Sequence, residues 1–349
     1  MKKTIISILI ALLLASVLTG CAETNPISTK TVRVIGTATA KTERALGSNL
    51  TIGSVDKIEL NGTDIKDQFV PESGATEGQN NVVFTATVEV PAKTSLEASA
   101  KPGFVFDEWE VLDDDESSAS SALLDKIEDW LDENNRKNNE KIVDIPAEYL
   151  PYIVAEYDNG YYITLESVAA PEGDKGTAGN PLTVEEFITK AYAEDELTLV
   201  ISGTNDTEFS KLIASINSLA KLEELKLKAN GATISAVPSF TTLEEIHLTG
   251  FTFSNDVTIN NAKAEIKFED CIFKTILTVE AAEELEIKGG SVETVIIKAA
   301  GEVELEDITI GTLDLSGMRE GEVELERVTY TKEGYKEPTN KDVSVKIEK

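Results

Sequence analysis

Six glutamates near the end of the chain stand in two identical triplets, Glu302, Glu304 and Glu306, then Glu322, Glu324 and Glu326. Apolar residues alternate with them, which turns each triplet to one side of a strand. Carboxylates gathered this way can coordinate Ca²⁺ or attract a basic partner surface. The same residues also read as a charged edge that discourages end-to-end stacking. Arg319 and Arg327 lie close by in sequence and are the candidates for a basic catalyst working among carboxylates. His247 is the single histidine, so a histidine-dependent triad would rest on it, and with no Cys/His cluster around it zinc is not expected. A second acidic run, 113–116, lacks the spacing and turn glycine of a calcium loop and reads as solvated charge that favours a helix start. No glycine-rich turn is followed by Lys and Ser/Thr, so a phosphate loop is not expected.

The triplets belong to a repeat. The pairs Leu225/Leu227, Ile246/Leu248, Ile266/Phe268, Leu285/Ile287, Val303/Leu305 and Val323/Leu325 recur at intervals of 21, 20, 19, 18 and 20 residues, subtracting successive numbers. A period near twenty with alternating apolar positions is the mark of stacked coils, each burying its neighbour's face. Stacking predicts outward columns. Lys226, His247, Lys267, Glu286, Glu304 and Glu324 form one; Glu224, Glu245, Glu265, Glu284, Glu302 and Glu322 form the one before it. A third column, Lys228, Thr249, Glu269, Lys288, Glu306 and Glu326, follows, and the last two coils carry no lysine in any of the three. Each coil has a second apolar stretch, such as 257–259, 276–279 and 295–297, and 343–347 reads as the last of these, giving two strands per coil. A helix over 207–222, with Phe209, Leu212, Ile213, Ile216 and Leu219 on one face, is expected to cap the open end.

Residues 222–230, LEELKLKAN, resemble the leucine-rich repeat pattern, and 243–251 match it except at the last position. Downstream the pattern fades, so the array resembles a leucine-rich repeat passing into a plainer parallel β-solenoid. Cys271 stands where that repeat keeps a buried Asn or Cys, which implies a packed thiol. Polysaccharide lyases resemble such an array in architecture, though with more coils.

Upstream, 32–35, 57–60, 82–90 and 94–100 alternate as half-buried strands do, and Asn61-Gly62 reads as a turn. Pro102-Gly103 followed by Phe104, Phe106 and Trp109 resembles the bacterial repeat of internalin-type B modules, with 145–157 similar to its closing strand. The resemblance covers residues 80–165 and implies a small β-grasp-like module that acts as a spacer or adhesive unit and has no catalytic residues. This chain departs from it through an insertion, 117–139, whose Leu123, Leu124, Ile127, Trp130 and Leu131 share one helical face. Trp130 reads as packing or as a partner contact. Tyr149, Tyr152, Tyr157, Tyr161 and Tyr162 would suit sugar or protein contact if exposed together. Residues 170–181 read as a linker, and Thr183 with Glu186 as a capping box opening a helix through Ala193.

Composition excludes one partner class. The net charge of −31, from 63 acidic against 32 basic residues, argues against nucleic acid, which needs clustered Lys and Arg. Lys2 and Lys3 followed by the apolar run 5–14 read as a secretory leader. Leu18-Thr19-Gly20-Cys21 resembles the lipobox of bacterial lipoproteins, which implies lipidation at Cys21, and Ala22 implies the outer membrane or cell surface. Removing the leader takes two lysines, giving −31 − 2 = −33. The expected architecture is mainly β: leader 1–20, tether 21–31, β-grasp-like module with helical insertion 32–169, linker 170–181, and a leucine-rich-repeat-like β-solenoid 182–349 capped by a helix. The expected function is non-catalytic: a lipid-anchored surface scaffold without a resident cofactor, binding a host or bacterial surface protein or a glycan. A polysaccharide lyase and a plain spacer are the alternatives.

Overall fold

The computed structural model describes residues 28–36, 38–40, 50–79, 82–112, 119–133, 136–166, 175–190, 192, 195–235, 240 and 242–348. The leader, Cys21 and most of the tether lie outside the described residues, as do the acidic run 113–116 and residues 170–174 of the expected linker. The chain is mainly β, with a C-terminal β-solenoid of about eight turns. It divides into two compact units, residues 1–98 with 108–156 and residues 99–107 with 157–349.

In the first unit, Ser28–Gly36 runs antiparallel to Val82–Val90, pairing Ser28 with Val90 and Gly36 with Val82. Alternation buries Val32, Val34, Phe84 and Ala86. The turn at Asn61-Gly62 joins Val55–Leu60 to Thr63–Asp64, and both turn residues have positive φ, 50° and 78°. Helix α1, Ser121–Asp132, lies within the expected insertion and buries Leu124, Ile127 and Leu131. Trp130 is half-buried, edge-on to Tyr149 at 5.9 Å, with the Arg136 guanidinium 4.5 Å from its ring centre. It packs.

The second unit is the solenoid. Its longest face is a parallel column of rungs: residues 160–164, Glu196–Ser202, Glu224–Asn230, Glu245–Thr249, 265–269, 284–288, Ala300–Glu306, Gly321–Glu326 and Val343–Glu348. The inward pairs predicted from the sequence line up rung on rung, and Leu225, Leu227, Leu285, Ile287, Val303 and Leu305 have no exposed surface. Each such side chain contributes about 1.5–3 kcal/mol by leaving water.

Four expectations are corrected. From 245 onward a coil has three β-segments rather than two. For example, 265–269 is followed by 272–273 and 277–279. Residues 343–347 are not a second stretch; Val345 and Ile347 pair with Val323 and Leu325, adding a rung to the first column. The array also starts earlier than Leu225. Leu197 and Leu199 stand in register with Leu225 and Leu227, and 160–164 pair with 198–202, so residues assigned to the first module belong to the solenoid. The capping helix is an internal connection. Helix α3, Asp206–Ile216, joins two rungs, ends before Asn217, and buries Phe209, Leu212, Ile213 and Ile216 in the solenoid core. Helix α2, Val184–Ile188, has the predicted capping box but stops at Thr189, short of Ala193.

Gly160 shows how tightly the first rungs meet. A Cβ there would lie 2.1 Å from the Thr198 carbonyl oxygen, so no other residue fits without moving the backbone.

Candidate functional site

The outward residues of the long column carry the charge. Strand alternation places Glu196, Glu224, Glu245, Glu265, Glu284, Glu302 and Glu322 on successive rungs, each directly paired with the next. Neighbouring rungs of a sheet are about 4.8 Å apart. Among the described residues, no cation pairs with Glu245, Glu265, Glu284, Glu302 or Glu322, while Glu224 has Lys226 at 4.0 Å. Burial raises the Glu284 carboxyl above its ordinary range, and repulsion from Glu265 and Glu302 adds to it. Glu224 is raised in the same way, first by burial and then by Glu245. Six of these seven were legible in the sequence; Glu196 was missed because its rung precedes the leucine pattern.

The two predicted triplets are brought together as a grid, with Glu302 opposite Glu322, Glu304 opposite Glu324 and Glu306 opposite Glu326. All six are exposed or half-exposed. Burial raises the Glu304 carboxyl, and Glu286, Glu306, Glu324 and Glu302 push it further. The grid is not bare of cations, contrary to the expectation from its columns. Lys346 on the added rung lies 2.6 Å from Glu324 and from Glu348. Lys288 reaches Glu306 at 3.3 Å.

Arg327 sits at the corner following the last triplet with φ 51°, in the left-handed region. Its Nε and Nη2 bond Asp307 at 2.6 and 2.7 Å, and it also contacts Glu306 and Glu326. A guanidinium held on three carboxylates is not a free base. No group of three or more His, Cys, Asp or Glu among the described residues is arranged to hold a metal ion. The grid's carboxylates, three on each of two rungs, form no such group.

The first rungs hold a second cluster. Asp107, 8% exposed, accepts from Lys228 through its side chain and, at 2.6 Å, through its carbonyl. Lys226 lies 3.5 Å from Asp107 and 3.2 Å from Asp158, and Thr198 donates to Asp158 at 2.9 Å. Burial would raise the Asp107 carboxyl, but the Lys228 and Lys226 ammonium groups outweigh it and hold it below its ordinary value. Lys226 is held protonated: its burial is more than offset by Asp107 and Asp158. No local pattern announces this cluster, since Asp107 and Lys228 are 121 residues apart.

His247 lies in the outward column, with Glu269 at 3.2 Å and the Thr249 hydroxyl at 3.3 Å from its Nε2. Cys271 is buried, its thiol donates to the Leu248 carbonyl at 3.3 Å, and burial pushes it up to about 12. Such a thiol is inert as a nucleophile. The five tyrosines make no exposed patch. Tyr162 is buried, and Tyr149, Tyr152, Tyr157 and Tyr161 are half-buried, Tyr161 edge-on to Phe187. No helix among the described residues is long and apolar enough to cross a membrane.

The chain was compared with protein-family models, with curated proteins and with solved structures, and nothing matches.

Proposed function

We propose that this chain is a lipid-anchored bacterial surface protein whose solenoid presents its outward sheet face to a protein or glycan partner, without catalysis. The observation that carries the reading is the continuous parallel face from residues 196–202 to 343–348. Its inward side is core and its outward side is a regular charged array. A rigid repeat with an invariant inner face and variable outer residues suits extended binding surfaces. The lipobox-like Leu18–Cys21 supplies the anchor, and the internalin-like motif at 102–109 supports a β-grasp-like spacer carrying a leucine-rich-repeat-like solenoid. The net charge favours a partner with a basic surface and disfavours nucleic acid.

Of the two candidate catalysts for the lyase reading, Arg327 is committed to Asp307, Glu306 and Glu326, while Arg319 is exposed. The test is binding of the purified chain to arrayed surface proteins and glycans, beside a variant carrying Glu245→Lys, Glu265→Lys and Glu284→Lys. Salt-sensitive binding lost in the variant supports the reading. Equal binding by both proteins, or release of unsaturated sugars from acidic polysaccharides, overturns it.

A further inference from the structure

The solenoid does not end on its acidic grid. One more rung, Val343–Glu348, lies beyond it and pairs on one side with Gly321–Glu326. Its other edge pairs with no strand among the described residues, and none of its six residues is buried. The inward positions show the change from one rung to the next. Leu325 is 1% exposed, whereas Ile347, in register with it, is 61% exposed. Val328, Tyr335, Val343 and Val345 pack on the solenoid core and stay half-buried. Such an end sets a row of backbone donors and acceptors beside uncovered apolar side chains, which is the template on which another strand adds.

Charge identifies the strand. Residues 329–348 carry four lysines and four acids, whereas the stretch of equal length before them, 309–328, carries two basic residues and five acids. Two such ends therefore approach each other without the repulsion that the grid imposes. Alternation turns Asp342, Ser344, Lys346 and Glu348 outward along the rung. An antiparallel pair of these rungs centred on Ser344 sets Asp342 opposite Lys346 twice and Val343 opposite Val345 twice. Ile347 then lies over the methylenes of Lys341 in the second copy. Centring on Val345 would set Asp342 against Glu348, and centring on Lys346 would set two lysines face to face, and like charges opposed in a pair destabilise it. Centring on Ile347 would leave Val343 and Ser344 without partners. We propose that a second copy of this chain docks on this edge, forming a two-fold dimer with Ser344 on its axis. The two-fold consumes both free edges, so the pairing closes rather than growing into a fibre. The outward sheet face runs on across both copies and remains open.

The experiment uses the full chain carrying Cys21→Ala, in which the buried Cys271 is the remaining native thiol. Sedimentation is followed across the micromolar range. The expected result is a reversible monomer–dimer equilibrium, weakened at least tenfold by Ile347→Lys. That side chain is already exposed, so thermal unfolding should be unchanged. Ser344→Cys, oxidised with copper phenanthroline, should give a disulfide-linked dimer, because residues directly opposite in an antiparallel pair bring their Cα atoms within about 5.5 Å. Lys267→Cys, outward on a rung in the middle of the array, should not. Three outcomes overturn the proposal. One is a chain that stays monomeric across the range, which would leave the edge to a strand of another protein. The others are an equilibrium that Ile347→Lys does not move, and cross-linking as fast through Lys267→Cys as through Ser344→Cys.

Discussion

Arg327 and Asp307 occupy the same corner of successive coils, and the arginine reaches back one turn to grip the aspartate with two nitrogens, at 2.6 and 2.7 Å. Both residues have φ 51°, a conformation that costs a residue with a side chain roughly 1–2 kcal/mol. Gly250, Asp270 and Gly289 hold the equivalent corners with positive φ, and each donates its N–H to the next rung. Two of these three corners are glycine and one is aspartate, and the two that follow carry a charge pair. The arginine joins Lys288 and Lys346 as a cation on the acidic grid.

Arg327→Ala should lose the ion pairs and keep the backbone cost, whereas Arg327→Gly loses the pairs and relieves it. Urea unfolding should find the alanine variant less stable than the glycine variant by about 1 kcal/mol. Equal stabilities would mean that the left-handed corner carries no strain.

Glu284 and Glu304 are raised carboxyls, so they bind protons more tightly folded than unfolded. Stability contributed by such groups is present at low pH and is lost as pH rises from the unfolded carboxylate range through the raised folded value. Glu284→Gln and Glu304→Gln should therefore stabilise at pH 7, each by about 0.5 kcal/mol. The gain should vanish below pH 4. Thermal unfolding at both pH values decides it, and a gain unchanged at low pH contradicts the ladder's repulsion.

Asp107 has the opposite sign. Its carboxyl is held low by Lys228 and Lys226, so its contribution is present above the ordinary aspartate range and is lost as pH falls through its depressed folded value. Asp107→Asn leaves Lys228 without its counter-ion, while Lys226 keeps Asp158, and should cost about 2–3 kcal/mol, below the full cost for a dry interior. Adding Lys228→Met should recover part of the loss. Additive losses would show that the two residues do not act as a pair.

Gly160→Ala should destabilise the first rungs by about 2 kcal/mol, since its Cβ would strike the Thr198 carbonyl. Hydrogen exchange should locate the loss in 160–164 and 196–202. Unchanged protection there would contradict the close approach.

What the sequence disclosed follows what repeats. The six pairs from Leu225 to Leu325 fall in register because burial on one face forbids a one-residue slip. The outward columns were legible for the same reason. The third β-segment of each coil was not, because two residues such as 252–253 are too short to show alternation. Residues 160–164 and 196–202 were hidden by a different cause. The linker and α2 separate the first two rungs, and α3 separates the second from the third, so the twenty-residue period is absent there. Lys226 and Lys228 read as charges offsetting a column, and nothing nearby in sequence announced Asp107. The Arg327 grip was invisible too, because a non-glycine corner in the left-handed region has no local signature.

The central claim, a solenoid held at the bacterial surface by lipid at Cys21, is tested most directly in intact cells. Added protease should cleave the wild-type chain on whole cells, and Cys21→Ala should move the protein from the membrane fraction to the soluble one. A chain protected in intact cells, with fractionation unchanged by Cys21→Ala, would contradict the account.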